Sequence, residues 1–323
     1  MRIAVTGGGG FIGSHVVDHL IGAGHDVVVI DVRPPQRPRV EWFDVDLLDL
    51  TGLVRATRDC QVVFHLAAVS NVNEAFDFPT EAVEVNVVGT AKVWEACRRT
   101  QVRRAVLAST VWVYAGAPGD HPLDEDTPFA LTDEGHVYTS TKIASEMLVR
   151  NFAALYGQEF TILRYGIPFG PRMRDELVIA RFVAMALRGQ PITLQGDGSQ
   201  YRNYLYVEDL AEAHSRALAP AAVNQVFNLE GSERVSVLRI VQSIQALLDE
   251  PVAVEFMPAR AGDYAGREVS AEKARRLLGW APHTSFEEGL RRYVAWVVAG
   301  GAEGDAGASD GPAAHGGSTA NSA

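Results

Sequence analysis

The chain of 323 residues contains only two cysteines, Cys60 and Cys97, which are too few for a disulfide framework. Their separation fits no metal-binding motif, so we expect two reduced thiols, no metal site and a cytoplasmic protein. Positive charge is also scarce, since 29 Lys and Arg stand against 40 Asp and Glu, for a formal net charge of −11. A chain this acidic is not expected to bind nucleic acid or an anionic membrane surface.

Long hydrophobic runs are missing as well. The longest, such as VVDHLIGAG near the amino terminus, are broken well short of the roughly 20 residues that span a bilayer. The chain starts directly with an apolar strand, without the apolar core and small-residue cleavage site of a signal peptide. We therefore predict neither a membrane span nor export. Residues 299–323 are rich in Gly, Ala, Ser and Asp, and we predict that this tail is disordered.

The part of the chain that can fold shows a regular alternation of two patterns. Short, β-branched apolar runs, typical of buried parallel strands, alternate with segments of helical spacing. The predicted strands are 2–5, 26–30, 61–66, 104–109 and 160–165, and the predicted helices between them are 11–22, 50–58, 80–99 and 138–156. This alternation predicts an α/β fold with a doubly wound parallel sheet of the Rossmann type over residues 1–165.

The pattern changes after residue 165. Shorter strands and amphipathic helices predict a smaller C-terminal α/β lobe over residues 166–298. We expect residues 203–225 to return to the first domain.

A glycine-rich stretch, TGGGGFIGSH, joins the first predicted strand to the first predicted helix. Gly7 would make the tight turn, Gly10 would let a pyrophosphate approach the backbone, and Gly13 would let the helix pack closely on the sheet. The helix that starts at Phe11 and Ile12 would direct free N–H groups at the phosphates. The stretch therefore predicts a dinucleotide-binding loop.

An acidic residue at the end of the second predicted strand indicates which dinucleotide binds. A carboxylate at Asp31 would accept hydrogen bonds from the adenosine ribose hydroxyls and repel a 2′-phosphate, which favours NAD over NADP. Arg33, two residues further on, could weaken that preference. Asp46 and Leu47 are predicted to hold the adenine edge, the alternative for Asp46 being a solvated loop carboxylate.

The sequence YTSTK places Tyr138 and Lys142 four residues apart, on one face of a predicted helix. An ammonium group beside a phenol favours the ionised phenol, which can then act as a base. A hydroxyl partner is expected from Ser109 or Thr110 at the end of the fourth long strand, because open α/β sheets bind ligands at the carboxyl edge.

With these features the chain resembles the extended short-chain dehydrogenase/reductases, and within them the NAD-dependent nucleotide-sugar epimerase/dehydratase family, over residues 1 to about 298. The resemblance implies that Thr110, Tyr138 and Lys142 are catalytic, and that Tyr138 and Lys142 also contact NAD. It further implies cofactor contacts in the HLAA segment and in VNVVGT, at Leu66, Ala67, Ala68 and Asn86, and it implies that Asn86 supports the active-site helices.

The second lobe also resembles this family. The segment GDGSQYRNYLYVEDLAEA places Arg202 at a diphosphate-contacting position. RAGD places Arg260 at another diphosphate position and Asp263 near the nucleotide ribose, and Arg174 lies where family members hold the sugar.

Two positions in this lobe depart from the family's pattern. Ile167 stands where many members have an Asn that touches the diphosphate, and Asn203 stands where an Asp is usual.

The resemblance implies epimerisation of a nucleotide-diphosphate sugar at C4, with a UDP-hexose or UDP-uronate as substrate and a transient 4-keto intermediate. Val111 and Trp112 follow Thr110 where 4,6-dehydratases have Asp-Glu, which argues against dehydration. The alternatives are an NAD-dependent nucleotide-sugar dehydrogenase, a 4-ketosugar reductase, or a non-catalytic NAD-binding sensor or partner protein.

Similar proteins are homodimers that pair the helices corresponding to 80–99 and 138–156, so we expect a homodimer. The candidate contacts on these helices are Val93, Trp94, Met147 and Phe152.

Overall fold

The structure, a computed structural model of the chain, describes residues 1–117, 122–130, 136–248, 251–258 and 268–301. The strands are β1 (Arg2–Thr6), β2 (Asp26–Ile30), β3 (Glu41–Phe43), β4 (Val62–His65), β5 (Arg104–Thr110), β6 (Glu159–Tyr165), β7 (Ile167–Phe169), β8 (Ile192–Gln195), β9 (Tyr201–Arg202), β10 (Tyr204–Tyr206), β11 (Gln225–Leu229), β12 (Val235–Ser236) and β13 (Val254–Met257). The helices are α1 (Phe11–Gly22), α2 (Leu50–Ala56), α3 (Val72–Asp77), α4 (Pro79–Val83), α5 (Thr90–Thr100), α6 (Val137–Tyr156), α7 (Val178–Leu187), α8 (Val207–Arg216), α9 (Val237–Leu247), α10 (Glu272–Leu278) and α11 (Phe286–Val298).

A seven-stranded parallel sheet forms the centre of the fold, in the order β11-β6-β5-β4-β1-β2-β3. The predicted α/β class and doubly wound sheet are thereby confirmed. The five predicted strands lie within two residues of the observed ones. The sequence did not predict β3, since Glu41–Phe43 is short and largely exposed and carries no apolar run.

Each face of the sheet buries a separate apolar layer, because successive side chains of a strand point to opposite sides. On β4, Phe64 packs with residues of α1, α8 and α10, whereas Val63 packs with residues of α2, α5 and α6. This two-sided burial explains why the strands are continuous apolar runs.

The second lobe has its own core, in which α7, α9 and α11 pack around β7, β8 and β10. Within this lobe β7 pairs with β10, β8 with β13 and β9 with β12. The segment that returns to the sheet is longer than 203–225. Helix α8 packs on the α1 side, and β11 then lies beside β6 as the last strand of the sheet. Of the predicted tail, residues 302–323 lie outside the described residues.

The predicted helix 80–99 is divided into α4, a π-helical turn over Glu84–Gly89, and α5. Val93 and Trp94 are fully buried on the sheet side of α5, so the expectation that they form exposed dimer contacts was wrong. Phe152 is partly buried against the same core, and Met147 is exposed.

Candidate active site

The glycine loop brings β1, α1 and the end of β4 into close contact. Gly7 has a φ of 74°, which glycine adopts without strain, and a Cβ there would stand 2.6 Å from the Ala67 nitrogen. A Cβ on Gly13 would collide with the carbonyl oxygen of Gly7, and the Gly10 N–H donates to that same oxygen at 3.0 Å. The structure therefore requires glycine at Gly7 and Gly13, and it places the start of α1, at Phe11 and Ile12, directly after the loop.

Asp31 lies beside this loop with its carboxylate held by backbone groups. Its Oδ2 accepts from the Gly9 N–H at 2.9 Å and its Oδ1 from the Arg33 N–H at 3.0 Å. The Arg33 guanidinium lies over the loop, with Nη2 3.3 Å from where a Cβ on Gly10 would stand. The role of Gly9 was not predicted, because its contact with Asp31 depends on how the loop folds.

The HLAA segment continues β4 toward the loop. The Leu66 N–H donates to the Thr6 carbonyl oxygen at 3.1 Å, and the Ala67 N–H to the Thr6 hydroxyl at 3.3 Å. Ala68 follows and is partly exposed, so the segment borders the predicted cofactor position.

Asp46 and Leu47 offer less of their side chains to a nucleotide than predicted. The Asp46 carboxylate is exposed and accepts from the Leu48 N–H at 2.7 Å, which closes its own turn. The Leu47 side chain is buried against Gly89, so only its backbone is available to the adenine edge.

Asn86 lies in the π-helical turn and is 1% exposed. Its Oδ1 accepts from the Val69 N–H at 2.8 Å, while its Nδ2 donates to the Val69 carbonyl at 2.9 Å and to Thr141 Oγ1 at 3.0 Å. These contacts fit the support of the active-site helices that the resemblance implies for Asn86, and its contact with the cofactor stays a prediction. Asn86 ties the loop after β4 to α6 and thereby positions the helix that carries Tyr138.

The predicted catalytic residues come together at the carboxyl edge of the sheet. Thr110 ends β5, and its Oγ1 accepts from the Trp112 N–H at 3.2 Å. Tyr138 lies in the first turn of α6, close enough to Thr110 for this side chain to act on its pKa. Lys142, one turn further along α6, donates from Nζ to the Ala108 carbonyl oxygen at 3.0 Å. Its Nζ lies 5.8 Å from the centre of the Tyr138 ring.

The electrostatics of these groups differ from the expectation. Burial raises the pKa of Tyr138 to about 12, while the Arg174 charge and the Thr110 side chain act to lower that pKa. The lowering of this pKa by Lys142 stays a prediction. Burial lowers the pKa of Lys142 itself to about 8, and the nearby Glu146 carboxylate acts to raise it.

A buried polar network beneath the site was not predicted. Glu146 of α6 accepts from the Ser109 hydroxyl at 2.6 Å and from two guanidinium nitrogens of Arg164, at 2.7 and 2.9 Å. Arg164 also donates to the Tyr114 hydroxyl at 2.6 Å. Ser109 is engaged in this network, whereas Thr110 is the hydroxyl residue that acts on the pKa of Tyr138. The network fixes α6 against β5 and β6.

Two aromatic residues beside Tyr138 form one wall of the site. The Trp112 ring centre lies 5.5 Å from that of His136, which in turn lies 6.0 Å from that of Tyr138. His136 also caps α6 by accepting from the Thr139 N–H. Sequence reasoning missed His136, since a single histidine before a helix carries no distinctive spacing.

The predicted substrate-binding residues are only partly described. Arg174 follows β7 and its side chain is exposed. Its positive charge is near enough to Tyr138 to act on the pKa of that phenol. Arg202 lies in β9, where it pairs with Val235 and donates to the Tyr201 carbonyl at 2.7 Å. Arg260 and Asp263 lie outside the described residues.

The described ranges contain neither a metal-binding cluster nor a helix that could span a membrane. In that part of the chain, no cluster of three or more His, Cys, Asp or Glu side chains could hold a metal ion. None of the described helices is long and apolar enough to cross a membrane.

Residues 3–229 match the NAD dependent epimerase/dehydratase family, and the chain belongs to that family. It is 33% identical over 309 residues to the UDP-glucose 4-epimerase of Mycolicibacterium smegmatis, covering 91% of this chain and 97% of the relative. It is also 33% identical over 335 residues to the dTDP-glucose 4,6-dehydratase of Neisseria gonorrhoeae, and that match covers 92% of this chain and 95% of the relative.

Among solved structures, the crystal structure of the Thermotoga maritima UDP-glucose 4-epimerase with UDP-glucose matches with a TM-score of 0.86 and 30% identity. That match covers 93% of this chain and 99% of the solved chain. The predicted family and its NAD dependence are thereby confirmed. Because the relatives include epimerases and a dehydratase, the family alone does not decide the reaction.

Proposed function

We propose that the chain is an NAD-dependent epimerase that inverts C4 of a nucleotide-diphosphate sugar, a UDP-hexose or a UDP-uronate, through a transient 4-keto intermediate. The observation that supports the proposal is the proximity of Tyr138 and Lys142, whose Nζ lies 5.8 Å from the Tyr138 ring centre and donates to Ala108 near the carboxyl end of β5. Thr110, at the end of the same strand, acts to lower the pKa of Tyr138.

The residues present fit NAD. The close packing at Gly7 and Gly13 leaves the loop backbone free of side chains, and Asp31 is pre-oriented by two backbone N–H groups to accept from ribose hydroxyls. We assign the nicotinamide ribose to Lys142. When bound, NAD accepts a hydride from the sugar and returns it.

Tyr138 removes the proton from the C4 hydroxyl, and Thr110 holds the same sugar oxygen as it becomes a ketone. Burial opposes ionisation of the phenol, so the base needs nearby positive charge and hydrogen bonding. Arg174 and Thr110 both act in that direction on the pKa of Tyr138.

The turn that follows Thr110 favours epimerisation over 4,6-dehydration. Elimination of water needs an additional acid and base beside the sugar. Val111 and Trp112 cannot exchange protons, and His136 caps the start of α6. The ketone formed at C4 is then reduced again on its other face instead of losing water.

We further propose a homodimer formed through the side of the fold made by α3, α4, the π-helical turn and α6. This surface exposes large apolar side chains that are costly to leave in water. They are Phe76, Phe78, Val83, Val88, Met147, Leu155 and Tyr156.

Leu155→Glu is expected to shift the protein from dimer to monomer in size-exclusion chromatography with light scattering. Phe256→Glu, at an exposed apolar residue of β13, is the matched control, and a monomeric wild type would contradict the proposal.

The test of the function is a substrate panel with no added NAD. Purified protein is mixed with UDP-glucose, UDP-galactose, UDP-glucuronate or dTDP-glucose, and the C4 configuration is followed by proton NMR. Interconversion of one pair, abolished in Tyr138→Phe, is expected. Product formation only with added NAD would support the dehydrogenase alternative, and inactivity under both conditions would support the non-catalytic one.

A further inference from the structure

Glu230 is a buried carboxyl group at the edge of the sheet where the substrate is expected. It follows β11 directly, and the last residue of β11, Leu229, pairs with Tyr165 of β6. Its carboxyl group packs against Gly166, with Oε1 3.0 Å from where a Cβ on Gly166 would stand. Glycine at 166 therefore leaves the space that the Glu230 side chain fills.

The orientation of Glu230 follows from the alternation of side chains along β11. The side chain two residues earlier, Asn228, accepts from the Tyr114 hydroxyl at 2.8 Å. Tyr114 ends the 3-10 turn that starts after Thr110, and Glu230 lies one pleat further toward the carboxyl edge on the same face. This is the face covered by α6, which carries Tyr138.

The carboxyl group has an unfilled hydrogen-bonding position. Glu230 is 6% exposed, and its Oε2 has no hydrogen-bond partner among the described residues. Asn203 packs against the adjacent Gly231, and its buried Oδ1 also has no partner within those residues. Burying such groups without partners costs free energy, so the arrangement is explained if a ligand supplies the missing bonds.

The chemistry of that ligand is restricted by charge. Among the described residues no cation acts on the pKa of Glu230, which burial raises to about 8. Above a pH of about 8, where this carboxyl is ionised, an anionic group placed against it would be bound only at a cost. A hydroxyl, in contrast, can donate to the ionised carboxyl and can accept from the protonated one. Arg202 is the described residue predicted to contact the anionic diphosphate of the substrate, and Arg174 is predicted to lie beside the sugar.

We propose that Glu230 is a specificity-determining residue that hydrogen-bonds a hydroxyl of the sugar ring and selects a neutral hexose over a uronate. This inference rests on the proposed function for the location of the sugar. The Glu230 carboxyl group also offers a hydrogen-bond donor and acceptor near Ile167, which stands where the family's pattern has an Asn.

Calorimetric binding to protein carrying Tyr138→Phe tests the proposal without turnover. In that background, Glu230→Leu roughly preserves the volume of the side chain but removes its ability to form hydrogen bonds. Glu230→Gln preserves both the volume and the ability to form hydrogen bonds. Glu230→Leu is expected to weaken UDP-glucose binding by about tenfold, while Glu230→Gln weakens it by less than about threefold. Binding of UDP, which lacks the sugar, stays unchanged in both. Glu212→Gln, on the outer side of α8, is the control.

The wild-type protein supplies a measurement that needs no Glu230 variant. At pH 9, where the Glu230 carboxyl is ionised, it is expected to bind UDP-glucose at least about tenfold more tightly than UDP-glucuronate. Equal loss of UDP and UDP-glucose binding in Glu230→Leu, unchanged UDP-glucose binding, or a preference for UDP-glucuronate would each overturn the proposal. If these binding differences hold but the panel shows no epimerisation, the proposed function fails and the assignment of Glu230 stands.

Discussion

The ionisation of Glu230 should make the protein less stable as the pH rises. Burial raises the pKa of this carboxyl from 4.5 to about 8, so the folded state holds a proton that the unfolded state has released. Its contribution to stability is therefore complete below pH 4.5 and is lost as the pH rises to about 8. At about 1.4 kcal/mol for each pH step, the loss is about 3 kcal/mol by pH 7 and about 5 kcal/mol by pH 9.

Glu230→Gln removes this titration and nearly preserves the shape of the side chain. The assay is urea unfolding of both proteins from pH 5 to pH 9, taking the difference in unfolding free energy. The buried histidines His15, His65 and His214, whose pKa values burial lowers, change stability in the opposite sense. They do so equally in both proteins and cancel in the difference.

The variant should equal the wild type near pH 5 and exceed its stability by about 3 kcal/mol at pH 7. Two parallel curves would show that the Glu230 carboxyl is solvated or paired, and the burial argument would be refuted. A gain in stability that accompanies weaker substrate binding would be the expected trade-off for a polar group kept for function.

Three further predictions concern residues around the site. Arg174→Ala should raise the pKa of Tyr138 and move the rising limb of kcat/KM to higher pH, whereas Arg174→Lys should not; superimposable profiles would contradict the assigned charge effect. Glu146→Gln leaves the Arg164 charge buried without its ion-pair partner and should cost about 3–5 kcal/mol in urea unfolding. Glu95→Gln, in a surface pair, should cost under about 1 kcal/mol. Gly13→Ala should abolish NAD retention measured by absorbance after gel filtration, while Gly22→Ala, which meets nothing within 4 Å, should retain it.

Much of the fold was predictable because its signals are local. Buried parallel strands are short apolar runs, and the glycine spacing reflects the contact of Gly13 with the nearby Gly7. Tyr138 and Lys142 were found because four residues define one face of a helix.

What could not be predicted depends on neighbours that are distant in sequence. The resemblance assigns the catalytic hydroxyl to Thr110, but the sequence does not show that the Ser109 hydroxyl donates to Glu146, which is 37 residues away. The π-helical turn is stabilised by hydrogen bonds of Asn86 to Val69 and Thr141, which leave no trace in composition. The raised pKa of Tyr138 reflects burial that only the folded chain creates.

The position of β11 has a consequence for how the chain can fold during synthesis. Its pairing with β6 joins residues 225–229 to residues 161–165, although the intervening chain builds much of the second lobe. A nascent chain ending near residue 165 would therefore carry an unpaired β6 edge open to aggregation. The first 165 residues should not behave as an autonomous folding unit, and a fragment that includes β11 should be the shortest with a complete sheet.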